Sequence, residues 1–402
     1  MAPRNTKVAA FAADEGDYEC SVVDAVYDLL VDTMEQAQHK NTRTRLEGLK
    51  KLNAQLAAKA APEFIANNQE TLLFMAGRPS NKAEKEAEQH VMLLGLVAIQ
   101  AGSEVSSLMQ EPMEQLRVIL MDSAKPKSVR TACANSLAVI SRFCVEEPEE
   151  VQENLRALKF AYEETTAVKE DSIRLITAAL AAYCVVILDG NSRIIREMQQ
   201  EDQPKIYDLL SSAHLEVRLA ASEALGHLYE FMLEARPGFK FANHDDVVDK
   251  LYELAGDFSK KTAKSDRRIQ RRTIKEIVAF MAEDEEAPEE SVKVGFQTLR
   301  LDTFGIRFFY GILCDVLGGG VSQQLMFNQT LRDEFELGEV CLGRVAPSTA
   351  DKKQQLYHHH AADKYREQER GYDRDCRSKV DNFRQMEEDA EEERLIAASH
   401  AY

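Results

Sequence analysis

"SVRTACANSLAVI" (128–140), "SIRLITAALAAY" (172–183) and "EVRLAASEALGHL" (216–228) are one pattern written three times. In each, a β-branched residue precedes an arginine, and small and apolar residues follow at helical spacing. Arg130, Arg174 and Arg218 fall 44 residues apart (130 to 174, 174 to 218). Helix-only patterning at a period of about 40–47 residues is the mark of armadillo or HEAT repeats. A weaker copy, "RTRLEGLKKL" (43–52), sets Arg45 about two periods earlier, and "EAEQHVMLLGLVAI" (86–99) stands where the intervening copy belongs. One such unit cannot bury its apolar face alone, so neighbours must stack into a solenoid. Pro112, Pro126, Pro148 and Pro204 lie between the periodic segments, where helices are expected to start or stop.

The whole composition fits that frame. The 402 residues carry 44% hydrophobic and 29% charged side chains, as a globular chain does, with a formal net charge of -18. Residues 1–20 lack the long apolar core of a signal peptide and are expected to be flexible. No apolar run reaches the roughly 18 residues of a spanning helix, so no membrane partner is expected. Seven cysteines sit far apart without a C-x-x-C pair, which suits reduced thiols in the cytoplasm, with the nucleus as a second compartment.

The expected organisation is all-α. An armadillo/HEAT-like α-solenoid over 21–282 is followed by an acidic linker, "EDEEAPEE" (283–290), a small helical C-terminal module over 291–345 and a long charged helical tail over 346–402. In the module a helix begins near Asp302, buries Ile306, Phe309, Tyr310, Leu313, Val316 and Leu317, and stops at Gly318. A short helix follows Asn328, with Leu331 and Phe335 buried and Gly338 ending it.

"KKTAKSDRRIQRR" (260–272) is the anomaly in so acidic a chain. With the helix that continues it, Lys260, Lys261, Lys264, Arg267, Arg268, Arg271, Arg272 and Lys275 fall within a sector of about 140°, opposite Ile269, Ile277 and Phe280. Asp266 is the only acid among them. A solvated helix face is the plain reading. Like charges stacked at i, i+4 cost stability without a neutralising partner, which points to an anionic surface, RNA phosphate ahead of acidic protein. In the tail, Arg366, Arg370, Arg374, Arg377 and Arg384 admit two readings of equal standing. They could contact RNA, or Asp363, Asp373 and Asp381 could pair with them along a lone helix.

Other signals carry less. Three adjacent imidazoles, His358 to His360, fan out on a helix and cannot converge well on one ion, so no metal site is expected. Gly318 to Gly320 could form an anion nest, but a helix stop and turn is favoured because no G-K-[ST] follows. No H-E-x-x-H, G-x-S-x-G or Walker motif is present, so an enzyme, a cofactor and a small-molecule substrate are not expected.

"SKKTAKSDRRIQRRTIKEIVAFMAED" (259–284) and "LRLDTFGIRFFYGILCDVLGGGVSQQLMFNQTLRDEFELG" (299–338) resemble the interferon-related developmental regulator family. "LYHHHAADKYREQER" (356–370) looks like that family's basic tail, with Lys364, Arg366 and Arg370 on matching positions, though acids interrupt it here; the resemblance thus adds Lys364 to the residues expected to contact RNA. Phe304 stands where the family tends to carry tryptophan. The resemblance implies an armadillo-like fold without catalysis. It further implies either binding to idle ribosomes, the C-terminal part occupying tRNA sites and the mRNA channel, or nuclear transcriptional co-regulation through protein partners. On the first, the expected function is a non-enzymatic hibernation-type factor that blocks translation. On the second, it is an interaction scaffold.

Overall fold

The computed structural model describes residues 15–163, 172–256, 264–283 and 287–340. Helices pair along the chain in the order the 44-residue period sets: α1 (Glu15–Ala37) with α2 (Thr42–Ala58), α3 (Pro62–Ala76) with α4 (Glu84–Ala101), and α5 (Ser106–Met121) with α6 (Lys127–Cys144). Then come α7 (Pro148–Glu163) with α8 (Ile173–Val186), the short α9 (Ser192–Glu197) and α10 (Gln203–Leu209) with α11 (Leu215–Ala235), and α12 (His244–Gly256) with α13 (Lys264–Ala282). The second helix of each pair packs on the second helix of the next, so α2, α4, α6, α8, α11 and α13 form an inner row. The first helices form an outer row. This is the expected solenoid, and "EAEQHVMLLGLVAI" supplies α4, buried on nearly every side.

The repeated arginine has a mechanical reason. Arg45 donates to the carbonyls of His39 and Lys40 (3.1 and 3.2 Å), Arg130 to that of Leu120 (2.9 Å), and Arg218 to those of Ser212 and Ala213 (2.9 and 3.1 Å). Each reaches back from the inner helix to carbonyls at or just past the end of the outer helix before it, in the connecting turn for Arg45 and Arg218 and in the last helical turn for Arg130. Those groups have no intrahelical donor, and a cation suits the negative end of the helix. Arg174 holds the same place in α8, but the loop before it lies outside the described residues.

The prolines divide. Pro126 caps α6, Pro148 opens α7 and Pro204 stands in the first turn of α10. Pro112 corrects the expectation: it lies inside α5 and is buried there. A 3-10 turn, Gly102–Val105, leads into α5, and Pro112 is the seventh residue of the helix, past the four donors that lack an acceptor, so it removes one i to i−4 bond at the Leu108 carbonyl.

The chain then turns back. A two-stranded antiparallel hairpin, β1 (Glu290–Val294) and β2 (Gln297–Leu301), turns over Gly295 and Phe296, with Val294 opposite Gln297. It buries Val294, Leu299 and Leu301. The module therefore opens with strands, not helix, and β1 takes the last residue of the acidic segment. Next, α14 (Phe304–Leu317) lies along the inner row against α11, α8, α6 and α4. After Gly318–Gly320, α15 (Val321–Phe327) rests on α2, and α16 (Gln329–Glu334) on α4. Through Val340 all of this packs as one compact unit.

By composition Glu84–Met121 and Phe304–Phe327 are apolar enough for a membrane span. In the fold they are core: α4 fills the centre of the inner row and α14 lies on it.

Candidate functional site

The inner row of helices and the basic run on α13 are the two places a repeat stack of this sequence would first be expected to meet a partner. The inner row is occupied by the chain's own module. At one end Phe304, fully buried, sits against Gly226 and its neighbour Phe280 (ring centroids 5.7 Å). Its backbone N–H donates to Glu230 (2.8 Å), and the Arg307 guanidinium lies 4.3 Å from its ring. At the other end, a side chain on Gly320 would sit 2.0 Å from the Ala57 carbonyl, so only glycine allows the backbones this close. Buried Gln324 donates to the Leu56 carbonyl (2.7 Å), and buried Asn328 to that of Ile99 (2.9 Å). Arg142 pairs with Glu334 (2.6 Å) and Asp189 (3.1 Å), and the Arg332 guanidinium ties α16 to Leu325, Leu337 and Gln297. These are buried or half-buried polar contacts, worth most where water is excluded.

Between α14 and the rims of α4, α6 and α8 an opening of about 1190 Å³ remains. Its charges are mixed: Glu84, Glu88, Glu223 and Asp315 face Lys127, Arg174 and Arg307. Asn135 donates to Asp315 across it (3.3 Å). Burial pushes the Glu223 carboxyl up although Arg307 pulls it down. Burial also keeps the described thiols protonated: Cys144 is pushed up to about 12, Cys184 well above its ordinary value, and Cys133 likewise upward. Among the described residues no three His, Cys, Asp or Glu side chains gather as a metal site.

Of the residues expected to bind RNA, the structure places six on α13. Its backbone begins at Lys264, so Lys264, Arg267, Arg268 and Arg271 occupy its first half. Arg272 and Lys275 are exposed, and Arg272 pairs with Glu276 (2.9 Å). Opposite them Ile277 is buried and Phe280 half-buried, as expected, and Ile274, Val278 and Met281 widen that buried face. Lys260 and Lys261, and in the tail Lys364, Arg366, Arg370, Arg374, Arg377 and Arg384, lie outside the described residues, as do His358 to His360 and Asp363, Asp373 and Asp381. The structure thus joins α13 to the module's near end, through Phe280 against Phe304.

The sequence reading missed the groove-filling role of Gln324 and the whole of α15. Two adjacent glutamines look like surface, and only the buried carbonyls of α2 explain one of them.

Comparison with known proteins identifies a family. The profile of the interferon-related developmental regulator family matches residues 5–282, and that of the interferon-related protein conserved region matches 328–378. Interferon-related developmental regulator 2 of Mus musculus is 28% identical over 355 residues, covering 85% of this chain and 80% of its own length. Interferon-related developmental regulator 1 of Homo sapiens is 26% identical over 383 residues, covering 91% and 84%. A designed armadillo repeat protein superposes with a TM-score of 0.41 at 17% identity, over 61% of this chain and 99% of its own. With its profile spanning most of the chain, this chain belongs to the interferon-related developmental regulator family.

Proposed function

We propose that the chain is a non-enzymatic interaction scaffold that offers partners the outside of a braced solenoid. The observation that carries this is the module lodged along the inner row: Gln324 and Asn328 spend their hydrogen bonds on the carbonyls of Leu56 and Ile99. A groove filled from within is not free for an extended peptide, so recognition falls to the outer faces and to α13. Protein partners, including those of a nuclear transcriptional complex, are the class such a body serves. In an RNase-treated native lysate the chain is expected to stay in a large complex; collapse to its own size would overturn the scaffold.

A second reading has its own support. Six basic residues fall on α13 between Lys264 and Lys275, with Asp266 the one acid among them and Arg272 and Lys275 exposed. Such a face suits ribosomal RNA phosphates, and a ribosome-bound chain in the cytoplasm would oppose translation by occupancy. Phosphate contacts position without reading sequence, so binding should be salt-sensitive. Changing Arg267, Arg268, Arg271 and Arg272 to Glu should abolish co-sedimentation with purified ribosomes. Each lost contact should lower the log–log salt slope by about 0.7–0.9. Equal sedimentation of both proteins would remove α13 from the interface.

A further inference from the structure

The outer row carries a second, unassigned periodicity. Leu29 on α1, Phe74 on α3, Val118 on α5 and Phe160 on α7 are 48%, 91%, 56% and 37% exposed. They follow one another at 45, 44 and 42 residues (29 to 74, 74 to 118, 118 to 160), the repeat length itself. Phe74, Val118 and Phe160 stand two or three residues from the C-terminal ends of their helices and so share one register, with exposed Met121 widening the rung at Val118; Leu29 lies about two turns before the end of α1, near the level of the start of α3, and only flanks the ridge. These helices are neighbours: α3 packs on α5 and α5 on α7, and Tyr27 of α1 meets Phe64 of α3 edge-on at 5.7 Å. Single exposed apolar residues need no explanation, but a run of them in one register is a ridge. No core contact accounts for a phenylalanine left 91% in water.

Below the ridge runs acid. α3, α5 and α7 each expose two glutamates before the rung: Glu63 and Glu70, Glu111 and Glu114, Glu149 and Glu153. Glu63 and Glu149 sit in first turns, where the helix dipole favours them; Glu70, Glu114 and Glu153 do not, and the dipole leaves them unexplained. The cations of these three helices are already engaged, Arg117 with Glu150, Arg156 with Glu153 and Lys159 with Asp202. The face is thus apolar along one edge and acidic along the other, where Glu153 is paired with Arg156 while α3 carries no cation at all and the one cation of α5, Arg117, is turned to Glu150.

We propose that this outer face docks an amphipathic helix of a partner protein, apolar on the ridge side and basic on the acidic side. This rests on the scaffold reading above and names its surface. Packed helices stand about 8–10 Å apart, and seven residues of α-helix advance about 10 Å. A helix laid across the row would therefore set one apolar residue on each rung at every seventh position, with Lys or Arg along one flank.

The test uses the full chain and a fluorescein-labelled helical peptide of three heptads, leucine at every seventh position and lysine on one flank. A scrambled peptide of the same composition is the control. Fluorescence anisotropy should show saturable binding, at least tenfold tighter than for the scramble. Phe74→Ser, Val118→Ser and Phe160→Ser together should weaken it at least tenfold, as should Glu70→Lys with Glu114→Lys. These side chains are exposed, so the melting temperature should hold; if the triple variant melts early, Phe74→Ser alone serves and should weaken binding at least threefold. Equal binding of the scramble, or no loss in the variants, overturns the proposal. So does a dimer of the unmodified chain that the triple variant dissolves, since a second copy would then be the occupant. If the triple variant keeps its complex in RNase-treated lysate but its peptide affinity is unchanged too, the scaffold stands and the ridge does not.

Discussion

At the scale of a residue, the buried polar side chains decide most. Glu86, almost wholly buried on α4, accepts from Arg45 at 2.7 and 3.1 Å and lies 3.3 Å from Lys82 and 3.5 Å from His90. The Arg45 guanidinium, with Lys82 behind it, holds the Glu86 carboxyl at about 2, against the desolvation that would raise it. Burial keeps His90 neutral beside it. A carboxyl whose pKa is lowered by folding lends stability above its ordinary value, and loses it as the pH falls toward the folded value. Glu86→Gln should therefore cost roughly 2–4 kcal/mol at pH 7, with the difference from the parent chain closing between about pH 4.5 and pH 2. Urea titrations at pH 7 and pH 3 check this; a gap that stayed constant would mean packing, not charge, is at stake. The same pair shows why the period was legible. Arg45 stands out in the sequence because each repeat needs a cation at the turn, whereas its partner on α4 replaces the arginine of the other copies and conceals the repeat there.

At the scale of an element, the sequence was most readable where one rule acts alone. Thr303 caps α14 through its side chain (3.2 Å to Ile306), Gly318 ends it, and Asn328 caps α16, so those boundaries fall where local chemistry puts them. The stripe of α14 was only partly right. Phe309, Leu313, Val316 and Leu317 are buried, but Ile306 and Tyr310 are half-buried while Phe304 and Ile312 go fully in. Packing on both the inner row and α16 widens its buried face beyond a single stripe. The hairpin was overlooked although its signal is present: Val292, Val294, Leu299 and Leu301 alternate on either side of Gly295 and Phe296, and Gly295 supplies the positive φ of a two-residue turn. Charged neighbours on the acidic side masked it.

The groove contact belongs to this scale as well. Gly320→Ala must push α15 off the Ala57 carbonyl, which should cost on the order of 2–4 kcal/mol. Hydrogen exchange should show the loss first in α15 and α16, with α5 and α7 unchanged. Protection lost evenly over all helices would contradict a local wedge.

At the scale of the whole molecule, charge and chain order separate what the parts can do. The acids lie along the outer row, the basic run lies on α13, and the module bridges α11 to α2 in between. That bridge leaves the apolar rungs of the outer row exposed, and Arg272 and Lys275 of α13 with them. A stack of repeats touching only nearest neighbours frays from its ends, because each unit loses little when the next opens. Gln324 and the Leu56 carbonyl are 268 residues apart in sequence, so here the first units are bonded to the last segment. Gln324→Ala with Asn328→Ala should therefore split one cooperative urea transition into two, followed by circular dichroism and by exchange on α2. A single transition shifted as a whole would show that the repeats were already coupled without the bridge.

The glycine at 320 and the amides beside it also have a mechanical meaning. A solenoid pulled at its ends is a spring, lengthening by small rotations between successive repeats. Laid along its inside, a rod fixed near both ends turns the spring into a truss. Extension then cannot begin until the rod lets go, and the force needed is set by the few bonds at Ala57, Leu56 and Ile99 instead of by the stiffness of the repeats.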